Sequence, residues 1–600
     1  MKKRIVSFLL TVIMFISIVP VTVLAEEHTH DGANFSPWIP SEHDNAVLPN
    51  ESGNWYLTEN VTLTDSWTIS SSVFLCLNSM AINLNGHNIN VTSGSRLCIY
   101  DCGNVEHKGY VKDGIWYLSD KDPLDEGETA KIISGGVITN GSAKNGGAIN
   151  IASGCSAIIY GGTFAGNTAT NGGAIYTEGP LGLNGGTFIY NSASENGGGV
   201  FANGDVMRVF GSSSSVDISF NKAKNGGGIY NIGTTNLSGE MILTNNVASN
   251  NGGAICNDSG SAKFSFGDAA HPIQIVDNTA TNGGGVYNAG EFGLNKGTII
   301  DCIAINGGGL YNCTGARSEI VGSTFQDCDA AGDDNSSGGG IYNEVHGGND
   351  FKTVSMTSTT IENCSATKYG GGIYNEGSIG LSSVNITSNN VTSSSGLGGG
   401  IYNKNDSFLA VGGATNVTTN KKEGTDTSDV YLPSGAKLTV GSGVDVPAPT
   451  AAMSVGVMME TPGVFTTNEA VDCKDYFLAE NEGLVVVYTD DNELKMILPV
   501  ALNTTTDKYY ESLAEAVEEV ANNQTLLLKA DNAENITVSK TIKFSIDADT
   551  FTNSAVLTAG SGYTVTKTGD NPTTYDFKPV QNPDPTPTNT GYIVPNTCVK

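Results

Sequence analysis

Basic residues are scarce in this sequence of 600 residues. It contains 30 lysines and arginines against 61 aspartates and glutamates, so its formal net charge is −31. Nucleic acids and anionic membrane surfaces are bound through clusters of basic side chains, and the composition therefore argues against both as partners. Two interpretations of the acidic surplus remain: it keeps an extracellular protein soluble, or it supplies acidic loops that bind calcium. We expect the former and predict no cofactor.

Long apolar runs are absent beyond the first 25 residues. The chain begins with the basic residues 2–4, continues with an apolar stretch over 5–19 and reaches a cleavage-site sequence at 23–25. These features in this order are typical of a secretion signal that is removed after Ala25. Because no later run of eighteen apolar residues exists, we predict a mature chain without a transmembrane helix, secreted or attached to the cell surface.

A regular cysteine framework is also missing. The eleven cysteines form an odd number at scattered spacings, which is not the pattern of a disulfide-stapled domain. Cys302, Cys328 and Cys364 take the place of an asparagine in a repeated motif that is described below. A buried cysteine behaves as a small hydrophobic residue, so we expect an interior stack of thiols. A disulfide between neighbouring repeats is the alternative.

Glycine, in contrast, is abundant at 76 residues, and much of it belongs to a motif that recurs ten times. The clearest copy is Asn-Gly-Gly-Gly-Ile-Tyr-Asn at 225–231. A short apolar motif that returns every 24 to 32 residues is typical of a solenoid of stacked coils. The aliphatic residues that follow the glycines are Ile149, Ile175, Val200, Ile229, Ile255, Val286, Leu310, Ile341, Ile373 and Ile401.

A second motif precedes each aliphatic position and consists of an apolar residue, two spacers and Asn or Cys, as at 164–167, 188–191, 218–221 and 299–302. In a parallel β-helix successive coils lie about 4.8 Å apart, so equivalent residues stack along the axis. The aliphatic residues would fill the interior, and the asparagine amides would hydrogen-bond from coil to coil. Glycines suit the corners of such coils, whereas each would cost a helical repeat roughly 1 kcal/mol.

We therefore predict an all-β solenoid, a parallel β-helix of about ten regular coils with capping coils, followed by small β or mixed α/β units. Residues 104–130 are charged and lack an apolar period, so we predict an inserted loop there. Residues 512–515 form a capping box that starts a helix, with Leu513, Val517 and Val520 on one face. The predicted boundaries are 1–25 for the signal peptide, 26–50 for a flexible N-terminal segment, 51–446 for the β-helix with regular repeats over 140–405, 447–500 for a small β unit, 501–578 for a helix-capped β segment and 579–600 for a Pro/Thr/Asn-rich tail.

The two motifs resemble the repeats of a known family. Gly-Gly-Ala-Ile, in the copies that end at Ile149, Ile175 and Ile255, and Phe-x-x-Asn, at 164–167 and 188–191, are similar to the repeats of the chlamydial polymorphic outer-membrane proteins. Related repeats occur in secreted, adhesin-like bacterial β-helix proteins. The resemblance covers residues 140–405 and implies a right-handed parallel β-helix with an adhesin-like role.

A ladder of aromatic residues follows from the first motif. Side chains alternate along a strand, so the residue after each buried aliphatic residue points outward. If these rings are open to solvent, they offer stacking platforms for sugar rings or for a partner protein; if a neighbouring corner covers them, they are structural, which we favour. The candidate binding residues are Tyr230, Tyr287, Tyr311, Tyr342, Tyr374 and Tyr402.

Catalysis is the competing interpretation, because pectin-lyase-like β-helices include polysaccharide lyases and glycoside hydrolases. Hydrolysis requires two carboxylates that face the glycosidic bond. The repeats provide one such pair, Asp333 and Asp334, twelve residues before His346. A catalytic solenoid interrupts its repeat to form a cleft, whereas these copies stay nearly identical. We predict no catalysis and retain these three residues as the weaker alternative.

Two histidines near the predicted cleavage site are candidate metal ligands. After removal of residues 1–25, His28 would be the third residue, and a free amine, two backbone amides and this histidine form a square-planar site for Cu(II) or Ni(II). His30 lies beside it. A disordered polar terminus without metal is the interpretation that we favour. The function predicted from the whole sequence is that of a monomeric, secreted or surface-attached protein that binds glycans or partner proteins.

Overall fold

Each repeat of the sequence folds into one coil of a parallel β-helix, as predicted. The computed structural model describes residues 28–43, 46–207, 215–266, 273–345, 353–441, 446–467, 470, 472–529, 535–546, 556–568 and 573–581. The predicted signal peptide and most of the predicted tail lie outside these residues. In the described part of the chain, no helix has the length and apolar character needed to cross a membrane.

A coil contains four short strands, and one coil consists of Thr163–Ala165, Thr168–Asn171, Ile175–Thr177 and Leu181–Leu183. Each strand pairs in parallel with its equivalents in the coils before and after, which produces four stacks, named A to D in this order along the coil. The apolar residue of the second motif lies in stack A and the Gly-flanked aliphatic residue in stack C.

Stack A comprises Val61–Thr62, Ala81–Asn83, Val137–Thr139, Thr163–Ala165, Gly186–Ile189, Val216–Ser219, Met241–Thr244, Ile273–Val276, Thr298–Ile300, Thr324–Gln326, Thr360–Glu362, Asn385–Thr387 and Asn416–Thr418. Stack B comprises Ser142–Asn145, Thr168–Asn171, Ser192–Asn196, Lys222–Asn225, Val247–Asn251, Ile303–Ala304, Asp329–Ala330, Ser365–Ala366, Asn390–Val391 and Lys421–Lys422, and it continues through isolated bridges at Thr279 and Asn282. Stack C comprises Trp67–Ile69, Ile89–Val91, Ile149–Ile151, Ile175–Thr177, Val200–Ala202, Ile229–Asn231, Ile255–Asn257, Val286–Asn288, Leu310–Asn312, Ile341–Asn343, Ile373–Asn375 and Ile401–Asn403. Stack D comprises Ser36–Trp38, Gly53–Leu57, Val73–Cys76, Arg96–Tyr100, Ser156–Ile159, Leu181–Leu183, Val206–Met207, Thr234–Leu237, Lys263–Phe266, Glu291–Asn295, Arg317–Val321, Val354–Thr357, Ser378–Ser382 and Phe408–Gly412.

The register of stack C confirms the repeat. Ile149 pairs with Ile175, and the same register continues without a slip to the pair of Ile373 and Ile401. All ten aliphatic side chains are at most 1% exposed. Burying one side chain of this size stabilises the fold by about 1.5–3 kcal/mol, so this interior column is a major source of stability.

The glycines form the corner between stacks B and C, where there is no room for a side chain. Gly226 has a φ of +62°, which is the left-handed region that other residues avoid. Gly227 lies against the next coil, and a Cβ on it would be 2.4 Å from the carbonyl oxygen of Gly253. The corner therefore requires glycine both for its backbone conformation and for the close approach of two coils.

The first described residues differ from the flexible segment that we predicted for 26–50. Thr29–His30 and Ala33–Asn34 form an antiparallel hairpin, and a 3-10 turn covers Pro40–Glu42. Ser36–Trp38 then pairs in parallel with Gly53–Leu57 and becomes the outermost strand of stack D. Backbone pairing and the buried ring of Phe35 attach this segment to the first coils.

The predicted inserted loop at 104–130 is wrong, because this segment forms strands. Gly109–Lys112 pairs with both Ile115–Leu118 and Thr129–Ala130, and Glu106–His107 pairs with Ile133–Ser134. Trp116 is fully buried and packs in one apolar cluster with residues of stack A, including Ala165 and Ile189. The insertion has no periodic apolar pattern, and the single large side chain of Trp116 anchors it to the coils.

The described residues divide into two compact units, residues up to 430 with 441–453 and residues 431–440 with 454 onward. A further short strand covers Val430–Leu432. In the second unit the predicted helix is present at Leu513–Glu519, where the Ser512 hydroxyl accepts a hydrogen bond from the Glu515 backbone N–H. Its strands are Thr439–Val440, Ser454–Met459, Phe477–Ala479, Val485–Tyr488, Leu494–Ile497, Ala501–Asn503, Lys508–Tyr510, Thr525–Leu528, Asn535–Val538, Ile542–Ile546, Val556–Ala559, Tyr563–Lys567 and Thr573–Pro579, with a 3-10 turn at Lys474–Tyr476.

Candidate functional site

The predicted aromatic ladder is present on the outer side of stack C, and we call it the aromatic column. The residue after each interior aliphatic residue points to the outside of the coil, and coil-to-coil register brings these side chains one above another. The buried Cys256 interrupts the column between Tyr230 and Tyr287. The column consists of Tyr176, Phe201, Tyr230, Tyr287, Tyr311, Tyr342, Tyr374 and Tyr402.

The rings of the column cover one another. The ring centroids of Tyr311 and Tyr342 are 4.7 Å apart with an angle of 5° between the planes, and those of Tyr287 and Tyr311 are 5.4 Å apart. This is the geometry of offset stacking between aromatic side chains. Tyr230 and Tyr374 are 8% exposed, whereas Tyr311 is half-buried. A sugar ring therefore cannot stack on ring faces that neighbouring rings already cover.

Carboxylates lie along the hydroxyl edge of the aromatic column. The hydroxyl of Tyr176 donates to Glu178 over 2.9 Å, and the hydroxyl of Tyr230 donates to Asp258 over 2.6 Å. Burial, together with the neighbouring Glu178, raises the pKa of Tyr176 to about 12. These tyrosines therefore remain neutral donors at physiological pH, and the carboxylates retain acceptor positions for another hydroxyl group.

Inside the helix, the asparagines of the second motif form the predicted ladder. The Nδ2 of Asn191 donates to Asn221 over 3.0 Å, and Asn221 donates to Asn246 over 3.0 Å. Cys302, Cys328 and Cys364 occupy the same interior position in the next three coils of this ladder. They are fully buried free thiols, which confirms the interior thiol stack. The members of this inner ladder are Asn167, Asn191, Asn221, Asn246, Asn278, Cys302, Cys328, Cys364, Asn389 and Asn420.

A second amide ladder was missed in the sequence. The asparagine that ends the first motif also points inward, and the Nδ2 of Asn231 donates to Asn257 over 2.8 Å. The same bond recurs between each successive pair of coils. Its regular return two residues after the aliphatic position was the signal that could have revealed it. The ladder contains Asn231, Asn257, Asn288, Asn312, Asn343, Asn375 and Asn403.

The weaker catalytic candidates lie at an exposed corner between stacks B and C. Asp333 and Asp334 are both exposed. The carboxylate of Asp333 accepts hydrogen bonds from the Asn335 backbone N–H at 2.7 Å and from the Ser336 hydroxyl at 3.4 Å. These contacts give Asp333 a part in shaping its own turn. His346 lies outside the described residues, so its position relative to the two aspartates stays untested.

The two candidate metal ligands, His28 and His30, lie beside one another. Their Nε2 atoms are 3.1 Å apart, and burial lowers the pKa of both imidazoles, so both are neutral at physiological pH. Glu26 and Glu27, which the predicted square-planar site would require, lie outside the described residues. The structure instead brings the histidines next to Cys76 and Cys102, which sequence reasoning did not associate with them.

Comparisons with known proteins agree with this architecture. Residues 161–178 and 240–258 match the Chlamydia polymorphic membrane protein repeat. Each matched segment runs through stacks A, B and C of one coil and includes both motifs. Comparisons with curated proteins and with solved structures found no match. The chain therefore carries repeats of the polymorphic membrane protein type, stacked as a parallel β-helix.

Proposed function

We propose that this protein is an adhesin-like, non-enzymatic protein of the cell surface that binds glycans along the hydroxyl edge of the aromatic column. The observation that carries this proposal is the run of half-buried tyrosines Tyr287, Tyr311 and Tyr342 at one-coil spacing, with the half-buried Tyr402 two coils further on. Because neighbouring rings cover the ring faces, the proposed contacts are with ring edges and phenolic hydroxyls. The likeness of two segments to a repeat of membrane proteins supports a surface location.

The chemistry of this edge suits a polyhydroxylated ligand. Glu376 accepts a hydrogen bond from the Tyr374 hydroxyl and forms an ion pair with Lys404. Glu344 accepts a hydrogen bond from the Thr314 backbone N–H over 2.9 Å. A carboxylate that is held in this way keeps lone pairs for a sugar hydroxyl. Because the coil repeats, equivalent donors and acceptors recur along the axis, as a polymer of similar sugar units requires. We propose a monomer that presents this edge as its binding surface.

The test is binding of the full chain to an array of bacterial and host polysaccharides. The double variant Tyr311→Phe/Tyr342→Phe removes two hydroxyls and keeps the stacked rings, and Tyr563→Phe in the second unit is the matched control. Each lost hydrogen bond is worth about 0.5–1.5 kcal/mol, so we expect about 5- to 150-fold weaker binding for the double variant and unchanged binding for the control.

A turnover assay on the same polysaccharides separates binding from catalysis. Release of reducing ends or of unsaturated sugars would favour the lyase or hydrolase alternative at Asp333, Asp334 and His346 over the proposal. Unchanged binding by the double variant would place the ligand on another surface. Binding to surface proteins but to no polysaccharide would redirect the proposal to a protein ligand.

A further inference from the structure

We propose that His28, His30, Cys76 and Cys102 form a tetrahedral site for a zinc ion. One possible ligand atom from each of these side chains lies within 4.8 Å of the other three. Among the described residues, this is the one group of three or more such side chains that meets this criterion. The site lies at the beginning of the β-helix, away from the aromatic column, and does not depend on the proposed glycan binding.

A tight hairpin turn positions the two histidines. Asp31 and Gly32 have φ angles of 49° and 76°, as a type I′ turn requires, and Asp-Gly is a favoured sequence for that turn. The turn pairs His30 with Ala33, and the Phe35 backbone N–H donates to the His28 carbonyl over 2.8 Å. Residues at i and i+2 of a strand face the same side, so both imidazoles point towards the coils.

Aromatic packing fixes the orientation of the imidazoles. The His28 ring stacks on Tyr56 with centroids 4.3 Å apart, and the His30 ring stacks on Tyr100 with centroids 4.8 Å apart. Phe35 is buried beneath the hairpin in one cluster with Cys76 and Tyr100. The two rings are therefore held in place by protein contacts, which is the preorganisation that a metal site needs.

The two cysteines come from adjacent coils of stack D. Cys76 ends one strand, where it pairs with Tyr100 of the next, and Cys102 follows Tyr100 by two residues. Between them, Asp101 accepts hydrogen bonds from the backbone N–H groups of Ser79 at 2.8 Å and Gly136 at 2.7 Å. These bonds hold the backbone beside Cys102, whose Sγ lies 3.5 Å from that of Cys76.

Three of the six distances between the ligand atoms agree with tetrahedral coordination, and all six are within 4.8 Å. Zn–N bonds of about 2.05 Å and Zn–S bonds of about 2.3 Å place N and N about 3.3 Å apart, N and S about 3.6 Å apart and S and S about 3.8 Å apart. The observed distances are 3.1 Å between the histidine Nε2 atoms, 3.6 Å from His28 Nε2 to Cys102 Sγ and 3.5 Å between the two Sγ atoms. The two cysteines are free thiols in the structure, because their Sγ atoms lie 3.5 Å apart and an S–S bond is about 2.05 Å.

The ligand set selects the metal. Two thiolates and two imidazoles in a tetrahedral arrangement are typical of a structural zinc site, because zinc has no preference for a planar geometry and binds both ligand types. Cu(II) and Ni(II) favour square-planar nitrogen and oxygen ligands. The two hairpin strands form a sheet of their own, so an ion shared between hairpin and coils would fasten the hairpin to the beginning of the solenoid.

The test uses the full chain, reduced and freed of metal with a chelator, then titrated with Co²⁺ as a spectroscopic probe and with Zn²⁺ in competition. We expect one ion per chain, a thiolate-to-cobalt charge-transfer band and the visible bands of tetrahedral Co²⁺. Loss of one direct ligand should weaken Zn²⁺ binding more than about 100-fold, because changes outside the ligand shell already cost 10- to 100-fold. Cys76→Ser, Cys102→Ser and His30→Ala should therefore lose the signal.

Two control variants keep the result interpretable. Cys313→Ser and His87→Ala remove a cysteine and a histidine outside the cluster and should leave stoichiometry and spectra unchanged. Limited proteolysis gives a second measurement, because Zn²⁺ should protect residues 28–38 from cleavage in the wild type and not in Cys102→Ser. The proposal is overturned by a Cys76–Cys102 disulfide in the unreduced protein, by square-planar Cu²⁺ spectra that survive Cys102→Ser, or by cobalt binding that the ligand variants do not alter.

Discussion

The Oδ1 of Asn191 lies 3.0 Å from both the backbone nitrogen and the side-chain Nδ2 of Asn167 in the preceding coil. One oxygen thus accepts two hydrogen bonds from a residue that is 24 positions away in sequence and fully buried. The Nδ2 of Asn191 in turn donates to the carbonyl of Phe164 over 2.9 Å. Among the described residues, no side-chain nitrogen or oxygen of this inner ladder is buried without a hydrogen-bond partner, so the ladder ties the coils together where the backbone turns.

Removing one amide from the inner ladder should destabilise the β-helix strongly. In Asn221→Ala, the backbone N–H and Nδ2 of Asn191 lose their acceptor and the Phe188 carbonyl loses its donor. Buried groups left without a partner cost about 1–3 kcal/mol each, and partial relaxation reduces the sum, so we expect a loss of about 2–4 kcal/mol. Urea denaturation followed by circular dichroism measures it.

Two further variants test the reason for that loss. Asn236→Ala alters an exposed asparagine of stack D and should change the denaturation midpoint little. Asn221→Cys should fall between wild type and Asn221→Ala, because a thiol already occupies this place at Cys302, Cys328 and Cys364. Equal midpoints for Asn221→Ala and Asn236→Ala would show that the ladder contributes no stability.

A methyl group at the corner should be poorly tolerated. In Gly227→Ala the new Cβ would lie 2.4 Å from the Gly253 carbonyl oxygen and 2.7 Å from the Val247 nitrogen, both backbone atoms of the next coil. The coils would have to separate, so we expect a loss of about 1–3 kcal/mol in a thermal or urea unfolding experiment. Gly260→Ala is the matched control, because no heavy atom lies within 4 Å of its Cβ position. Similar unfolding of both variants would contradict the close-packing argument.

The aromatic column should make the protein sensitive to alkali. Burial raises the pKa of Tyr176 to about 12 and raises those of Tyr230, Tyr287 and Tyr374 still further, whereas an unfolded tyrosine ionises near pH 10. Between pH 10 and these higher values the folded chain binds more protons than the unfolded chain, so the free energy of unfolding falls as pH rises. Below pH 10 this contribution is complete.

Circular dichroism and tyrosinate absorbance, recorded together from pH 9 upward, measure this effect. We expect the column tyrosines to ionise as the β signal is lost, and Tyr176→Phe to reduce the dependence of stability on pH. Full ionisation near pH 10 with the β signal intact would mean that the rings are open to solvent.

Features that repeat could be predicted from the sequence, and features that occur once could not. The burial of Ile229 was predictable because the same motif recurs in nine other copies, each with an aliphatic residue at this position. The insertion around Trp116 occurs once, so no period separated it from a loop. The cluster of His28 and Cys102 joins residues 74 positions apart through a hairpin, and neither spacing nor composition encodes that distance.

The aromatic column lies between these cases. Alternation along the strand correctly placed Tyr311 and Tyr342 on the outside of the coil. It could not reveal that the rings cover one another, because that depends on the stacking of adjacent coils and on side-chain rotamers. The sequence therefore identified which residues form the candidate surface. The structure added that the ring faces of Tyr311 and Tyr342 cover each other and are closed to a ligand.

The three cysteines of the inner ladder should be inert towards alkylating reagents in the folded protein. Cys302, Cys328 and Cys364 are 0% exposed, and burial raises the pKa of the Cys302 and Cys328 thiols well above the usual range. Alkylation by iodoacetamide requires an accessible thiolate, so these three should react only after unfolding. Cys102 is exposed and should react first once metal is removed with a chelator. Mass spectrometry of peptides from native and unfolded samples identifies the modified residues. Because the unreduced protein should also show three unmodified thiols, a disulfide between any two of them would refute the thiol stack, and rapid native alkylation of Cys328 would show that the coils open at this point.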